Sequence, residues 1–173
     1  MELQFRDMIK PSRPYIIDVE ASGFGSASYP IEIGLALEQG ERFCTLIRPP
    51  DQWAHWDERA QAVHGISREV LFSHGLGVVE VASELNRRLE KKFVFSDAWA
   101  VDNAWVIKLF AAARMEQAFS LWTLESVMRE PQIELWLETR DAVAAELGIE
   151  RHRASNDALI IQETFVRTLA MVS

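Results

Sequence analysis

Tyr15-Ile-Ile-Asp18-Val-Glu20-Ala-Ser-Gly23-Phe24 is the stretch whose reading decides the fold. The aromatic and β-branched run from Tyr15 to Val19, bounded by Pro14 and Gly23, has the pattern of a buried strand. Side chains alternate across a strand, so Asp18 and Glu20 share one face, roughly 6–7 Å apart along the backbone. Two carboxylates at the end of a buried strand repel each other unless a cation lies between them. The first expectation is a divalent metal site.

Working outward, Ile31 to Glu38 alternates like a strand, Gln39-Gly40 is a turn, and Arg42 to Ile47 returns as a third strand. Trp56 to Val63 has helical spacing and stops at His64-Gly65. Val79 to Lys92 is an amphipathic helix with Val81, Leu85 and Leu89 inward. Phe93 to Ser96 is a short buried strand, and Val101 to Ala113 is helical again. Ser120 to Met128 fits a brief strand, a turn or a short helix. Ile133 to Leu147 is a helix ended by Gly148, and Asn156 to Met171 is the last one. An antiparallel meander followed by strands alternating with helices predicts an α/β fold: a mixed sheet, three strands antiparallel and the rest parallel, flanked by helices.

At 173 residues the chain is read as one domain, 1–173, with residues 1–13 an irregular lead-in. Apolar residues make up 49% and charged residues 25%, the balance of a soluble globular protein. The start lacks the basic flank and apolar stretch of a signal peptide, and no apolar run reaches the length of a membrane span. The lone Cys44 has no disulfide partner and is read as core; a reducing, cytoplasmic setting is expected. The net charge of −8 argues against a protein that coats duplex DNA, and less against an enzyme that grips one end of a strand with bound metal.

Three further residues would complete a metal site: Asp102 at a helix start, His152 in a polar loop, and Asp157 in the first turn of the last helix. Singly, each has an ordinary explanation. An Asp at a helix start complements the dipole, and a lone loop His is solvated. Together they form a pattern: Asp-x-Glu on a strand, Asp at one helix start, His-x-x-x-x-Asp at another. This set resembles the DnaQ-like 3′–5′ exonucleases, and within them the subfamily named DEDDh for its four acids and a histidine. The resemblance runs roughly from Tyr15 to Val166. It is carried also by Glu20-Ala-Ser-Gly-Phe24, Ile31-Glu-Ile-Gly-Leu, Val63-His-Gly-Ile-Ser, Val101-Asp-Asn-Ala-Trp and His152-Arg-Ala-Ser-Asn-Asp-Ala. The sister subfamily has Tyr where this chain has Arg153, which favours the histidine type.

The resemblance implies a ribonuclease H-like sheet of five strands with the first in the middle. It implies hydrolysis of phosphodiesters from the 3′ end of single-stranded DNA or RNA to nucleoside 5′-monophosphates. Two Mg²⁺ or Mn²⁺ ions about 3.5–4 Å apart would activate water and clamp the leaving oxygen. Asp18 would bridge the ions, Glu20 and Asp157 would bind the water-side ion, and Asp102 would hold the other. His152, with an ordinary pKa of about 6.5, would be the general base. Ala21 would meet the terminal 3′-OH through its backbone.

Phe24 would wedge against the last bases, with a core residue closing the turn as the equal alternative. Arg151 and Arg153 are either phosphate contacts or solvated loop charges. His64 is read as capping and packing around Gly65, His55 and His74 as surface residues, and most of the six tryptophans as core on helix faces. Many members carry His-Asn where this chain has Asp97-Ala98, which bears on substrate preference and adds a competing ligand at Asp97. The expected partner is a single-stranded 3′ end, with no membrane; a homodimer and a polymerase partner are both compatible. The reading from another class is a nuclease-fold binding or proofreading-type subunit that acts through a polymerase.

Overall fold

The computed structural model describes residues 11–173; most of the expected lead-in lies outside them. Five strands form one sheet: β1 (Tyr15–Ala21), β2 (Pro30–Ala36), β3 (Arg42–Leu46), β4 (Phe93–Ser96) and β5 (Ser120–Thr123). Their order is β3-β2-β1-β4-β5, with β1 in the middle. β1–β2 and β2–β3 are antiparallel, whereas β1–β4 and β4–β5 are parallel. The fold class is as expected.

Among the described residues there are six helices: α1 (Glu58–His64), α2 (Arg68–His74), α3 (Val78–Leu89), α4 (Trp99–Ala113), α5 (Glu130–Leu147) and α6 (Ala154–Met171). Gly65 and Gly148 end α1 and α5 in the left-handed region, at φ 70° and 59°. The seven-residue α2 was not visible in the sequence because it buries only Leu71 and so shows no apolar stripe. The ambiguous stretch 120–128 resolves into β5 and one 3₁₀ turn, Leu124–Val127.

The pleat of β1 sorts the core into two layers. Ile17 and Val19 pack with α3 and α4 through Val81, Leu85, Val106 and Leu109. Ile16 faces the other way, with Phe95 and Ala36, against Ala158, Ile161 and Phe165 of α6. α5 lies outside α6 and is tied to it by Gln132 Nε2 donating to Thr168 Oγ1 (3.3 Å) and by an Arg167–Glu146 ion pair (2.7 Å). Burying two sheet faces is the main source of stability in such a layered domain.

Two expectations about apolar residues are corrected. Cys44 is exposed rather than core. It pairs with Gly34 on the edge strand β3, where the pleat turns it away from the α3–α4 layer. Of the tryptophans, Trp53 and Trp105 are buried, but Trp99 and Trp122 are more than a third exposed. Among the described residues no helix is long and apolar enough to cross a membrane.

Candidate active site

The alternation that buries Ile16 beneath α6 carries Asp18 and Glu20 onto the same face, at the end of β1 where α6 begins. On β2, Gly34 stands opposite Asp18 and Glu32 opposite Glu20. A Cβ on Gly34 would lie 2.0 Å from the backbone of Ala154 and Ser155, so the start of α6 rests directly on the sheet. That close approach needs a glycine. It brings Asp157, one turn further along α6, to the carboxylates of β1.

Glu32 fixes the same junction. Its carboxylate is fully buried and accepts from Arg153 Nη2 (2.6 Å), Arg153 Nε (3.1 Å) and the backbone N–H of Ala154 (2.9 Å). Asp157 in turn accepts from Arg151 Nε (2.8 Å) and from the backbone N–H of His152 (2.7 Å), whose φ is 62°. Arg151 and Arg153 are thus not merely solvated loop charges: each is paired to an acid.

Asp102 arrives from the opposite side. β4 ends at Ser96, whose Oγ donates to Asp102 Oδ2 (2.5 Å) and accepts from the N–H of Ala98 (3.0 Å). The carboxylate points inward from the first turn of α4 and is 2% exposed.

Asp18, Glu20, Ala21, Phe24, Asp102, His152 and Asp157 all line one cleft of about 430 Å³. Asp97, the competing candidate, lines it as well. Ligand atoms of Glu20, His152 and Asp157 come within 4.8 Å of one another, close enough to share an ion. Asp18 and Asp102 stand outside that tight trio. They remain strongly coupled to it through charge: burial, then Asp102, Glu20 and Asp157, hold the Asp18 carboxyl well above the usual range. Burial and then Asp157 and Glu32 push Glu20 up to about 7, with Arg153 opposing. Burial pushes Asp102 up to about 7, with the Ser96 hydrogen bond opposing and Asp97 and Glu20 adding to the rise. Crowded, mutually repelling oxygen donors are the donor set of a hard divalent cation, and a cation is what would relieve them.

The turn after Glu20 is locked in place. Ser22 Oγ meets His55 Nδ1 (3.0 Å) and accepts from the N–H of Tyr29 (3.1 Å), while the carbonyl of Ser22 accepts from the N–H of Asp57 (2.9 Å). A Cβ on Gly23, at φ 146°, would meet Asp57 and His55 at 2.8 Å. His55 is therefore a structural partner of this turn and not an isolated surface residue. Phe24 is 76% exposed, which removes its reading as a core residue; its ring lies 6.2 Å from that of Trp105. His64 is buried at the end of α1 and also lines the cleft. Its Nδ1 accepts from the N–H of Ile66 (3.1 Å), leaving Nε2 to carry the ring proton.

Three residues of this site escaped the sequence reading in whole or part: Glu32, Arg140 and His55. Glu32 stood inside a motif that was matched, yet a charge in a strand gives no sign of its partner. Arg140 sits in the middle of a helix and lines the cleft from α5.

The five-stranded mixed sheet with its flanking helices is the ribonuclease H-like fold of exonucleases. No family model matches the sequence, and no curated protein matches it. Solved structures do match. Exonuclease I from E. coli in complex with a dA16 oligonucleotide superposes with a TM-score of 0.65 at 16% identity, over 91% of this chain and 41% of that one. The zinc-bound form of the E. coli exonuclease I–ssDNA complex gives 0.65 at 15% identity, over 91% and 41%. A moderately thermophilic exonuclease I from Methylocaldum szegediense gives 0.63 at 14% identity, over 91% and 39%. The chain spans about two-fifths of the length of these exonucleases.

Proposed function

We propose that the protein is a metal-dependent 3′–5′ exonuclease of the DEDDh type, acting on single-stranded DNA. The observation that carries this reading is the convergence of four carboxylates, from β1, α4 and α6, with His152 in one cleft. The fold shared with exonuclease I, solved as a complex with single-stranded DNA, supports the polymer. The domain would be the exonuclease module, comparable to about two-fifths of those longer chains.

Asp18, Glu20, Asp102 and Asp157 would hold Mg²⁺ or Mn²⁺, which when bound supplies Lewis acidity and lowers the pKa of a coordinated water. His152, beside Glu20 and Asp157, takes the proton of the attacking water on a ring nitrogen. Water adds to phosphorus, the P–O3′ bond breaks, the departing O3′ takes a proton from solvent, and the products are a nucleoside 5′-monophosphate and a strand with a new 3′-OH. The Ala21 backbone orients the terminal sugar, and Phe24, exposed over the cleft beside Trp105, stacks on a terminal base. Arg151 must be shared with, or yield, the Asp157 oxygen it now occupies when a cation binds.

The test is digestion of a 5′-labelled single-stranded DNA oligonucleotide with Mg²⁺, with Mn²⁺ and with chelator. A ladder shortening from the 3′ end, abolished by chelator and by Asp18→Asn, is the expected result. Loss of the ladder must coincide with retained fold by circular dichroism. An intact oligonucleotide under every metal condition would overturn the reading.

A further inference from the structure

A second cavity, of about 360 Å³, opens beside the first and shares Asp97 and Arg140 with it. Its walls are Leu124 and Met128 on one side and Ile133, Trp136 and Leu137 of α5 on the other. Ile133, Trp136, Leu137 and Arg140 follow helical i, i+3, i+4, i+7 spacing, so one face of α5 is apolar and ends in a guanidinium. That face is open at Ile133 and Leu137, 45% and 63% exposed, while Trp136 packs in part against the core beneath α6.

Arg140 is the unusual group. Among the described residues its buried Nε has no hydrogen-bond partner and the guanidinium makes no ion pair. Burial raises the Asp97 carboxyl, and the positive charge of Arg140 opposes that rise. A buried, unpartnered N–H is costly unless something else satisfies it. A phosphate fits a guanidinium fork, and an adjacent aromatic and apolar wall fits a nucleobase.

From the shared Arg140, the geometry points to a subsite for the nucleotide on the 5′ side of the scissile phosphate. Arg140 holds that nucleotide's own phosphate, and Trp136 with Met128 and Leu137 holds its base. This rests on the exonuclease reading above and deepens it. With the terminal nucleotide at the Ala21–Phe24 end, a strand crossing the carboxylates leaves the first cavity at its Asp97–Arg140 end. It then enters the second. The other charged residues lining the second cavity are Asp97 and Glu125, both acids, which would repel a strand that strayed from the guanidinium.

The test compares two ligands bound in Ca²⁺ in place of Mg²⁺: an eight-nucleotide oligothymidylate, which would reach both cavities, and thymidine 5′-monophosphate, which fills only the first. Arg140→Gln and Trp136→Ala should each weaken the oligonucleotide about tenfold or more. Both should move the monophosphate less than about twofold. Arg140→Gln should also reduce the slope of log affinity against log salt by about 0.7, the signature of one lost phosphate contact on a single strand. Leu137→Asp, at an exposed position that cannot disturb the core, should weaken the oligonucleotide alone and guards against variants that fail to fold. Equal weakening of both ligands, or unchanged oligonucleotide binding in Arg140→Gln and Leu137→Asp, would overturn the subsite. Arg140-dependent oligonucleotide binding by a wild-type protein that cleaves nothing in Mg²⁺ would instead support the subsite and overturn the exonuclease reading.

Discussion

Glu32 and Arg153 lie 121 residues apart in sequence and form an ion pair whose acidic half is fully buried, with Arg153 Nη2 2.6 Å from Glu32 Oε1. The same carboxylate caps the N–H of Ala154, so one buried acid ties β2 to the first turn of α6. Through that turn it sets where His152 and Asp157 stand. Truncating it leaves a guanidinium and a backbone donor without their partner. Arg153 is 42% exposed and recovers part of its solvation, so the cost falls below that of a fully buried pair. We expect Glu32→Ala to cost about 2–3 kcal/mol, or about 4–12 °C in Tm. It should also weaken Mn²⁺ binding about 10–100-fold, as loss of a group that orients ligands does. Thermal denaturation and calorimetric metal titration check both.

Gly34→Ala tests the junction from the sheet side. The added Cβ would sit 2.0 Å from the Ala154–Ser155 backbone, which cannot rotate away as a side chain would. Destabilisation of about 3 kcal/mol or more is expected, measured by urea denaturation. A variant as stable as wild type would mean that α6 does not rest on β2.

The raised carboxylates dictate a pH dependence of the metal-free protein. Glu20 and Asp102 titrate near 7 in the folded chain against about 4 when unfolded, and Asp18 is shifted the same way. Between those values the native state binds more protons than the unfolded state. Stability therefore falls as pH rises from about 4 to about 7, and Glu20 and Asp102 contribute no further loss above that. In chelator, Tm should be lower at pH 8 than at pH 5.5 by about 3–6 °C. Excess Mg²⁺ should raise Tm at pH 8 far more than at pH 5.5, because protons no longer compete for the oxygens. A metal-free Tm that rises across this window would count against the cluster.

Asp18→Asn separates stability from activity. It removes one charge from a buried group of like charges, so the metal-free variant should melt higher than wild type at pH 8. Cleavage of single-stranded DNA should be lost in the same protein. Scanning calorimetry in chelator and the labelled-oligonucleotide assay give the two halves of this expectation.

Phe24→Ala should do the reverse of Gly34→Ala. A side chain 76% exposed contributes little to folding, and a stability change within about 0.5 kcal/mol is expected. If Phe24 stacks on a terminal base, single-stranded DNA binding should weaken about 5–150-fold. Fluorescence anisotropy with a labelled oligonucleotide distinguishes this from an idle surface ring.

What was legible in the sequence was whatever local periodicity and chemistry encode. The two-residue period of β1 put Asp18 and Glu20 on one face, the glycines at 65 and 148 stopped α1 and α5, and the His-x-x-x-x-Asp spacing marked the start of α6. The residue types alone announced a carboxylate-rich centre. Tertiary structure decided the rest, because ion pairs and cavities form between segments distant along the chain. Arg153 found Glu32 only once Gly34 let α6 settle on β2, and Arg151 was taken up by Asp157. The exposure of Cys44 followed from a pleat at a sheet edge, and that of Phe24 from a turn held by Ser22 and His55. Arg140 acquired its meaning when α5 laid an apolar face beside the cleft, since no pattern within α5 shows that its guanidinium would be left without a partner.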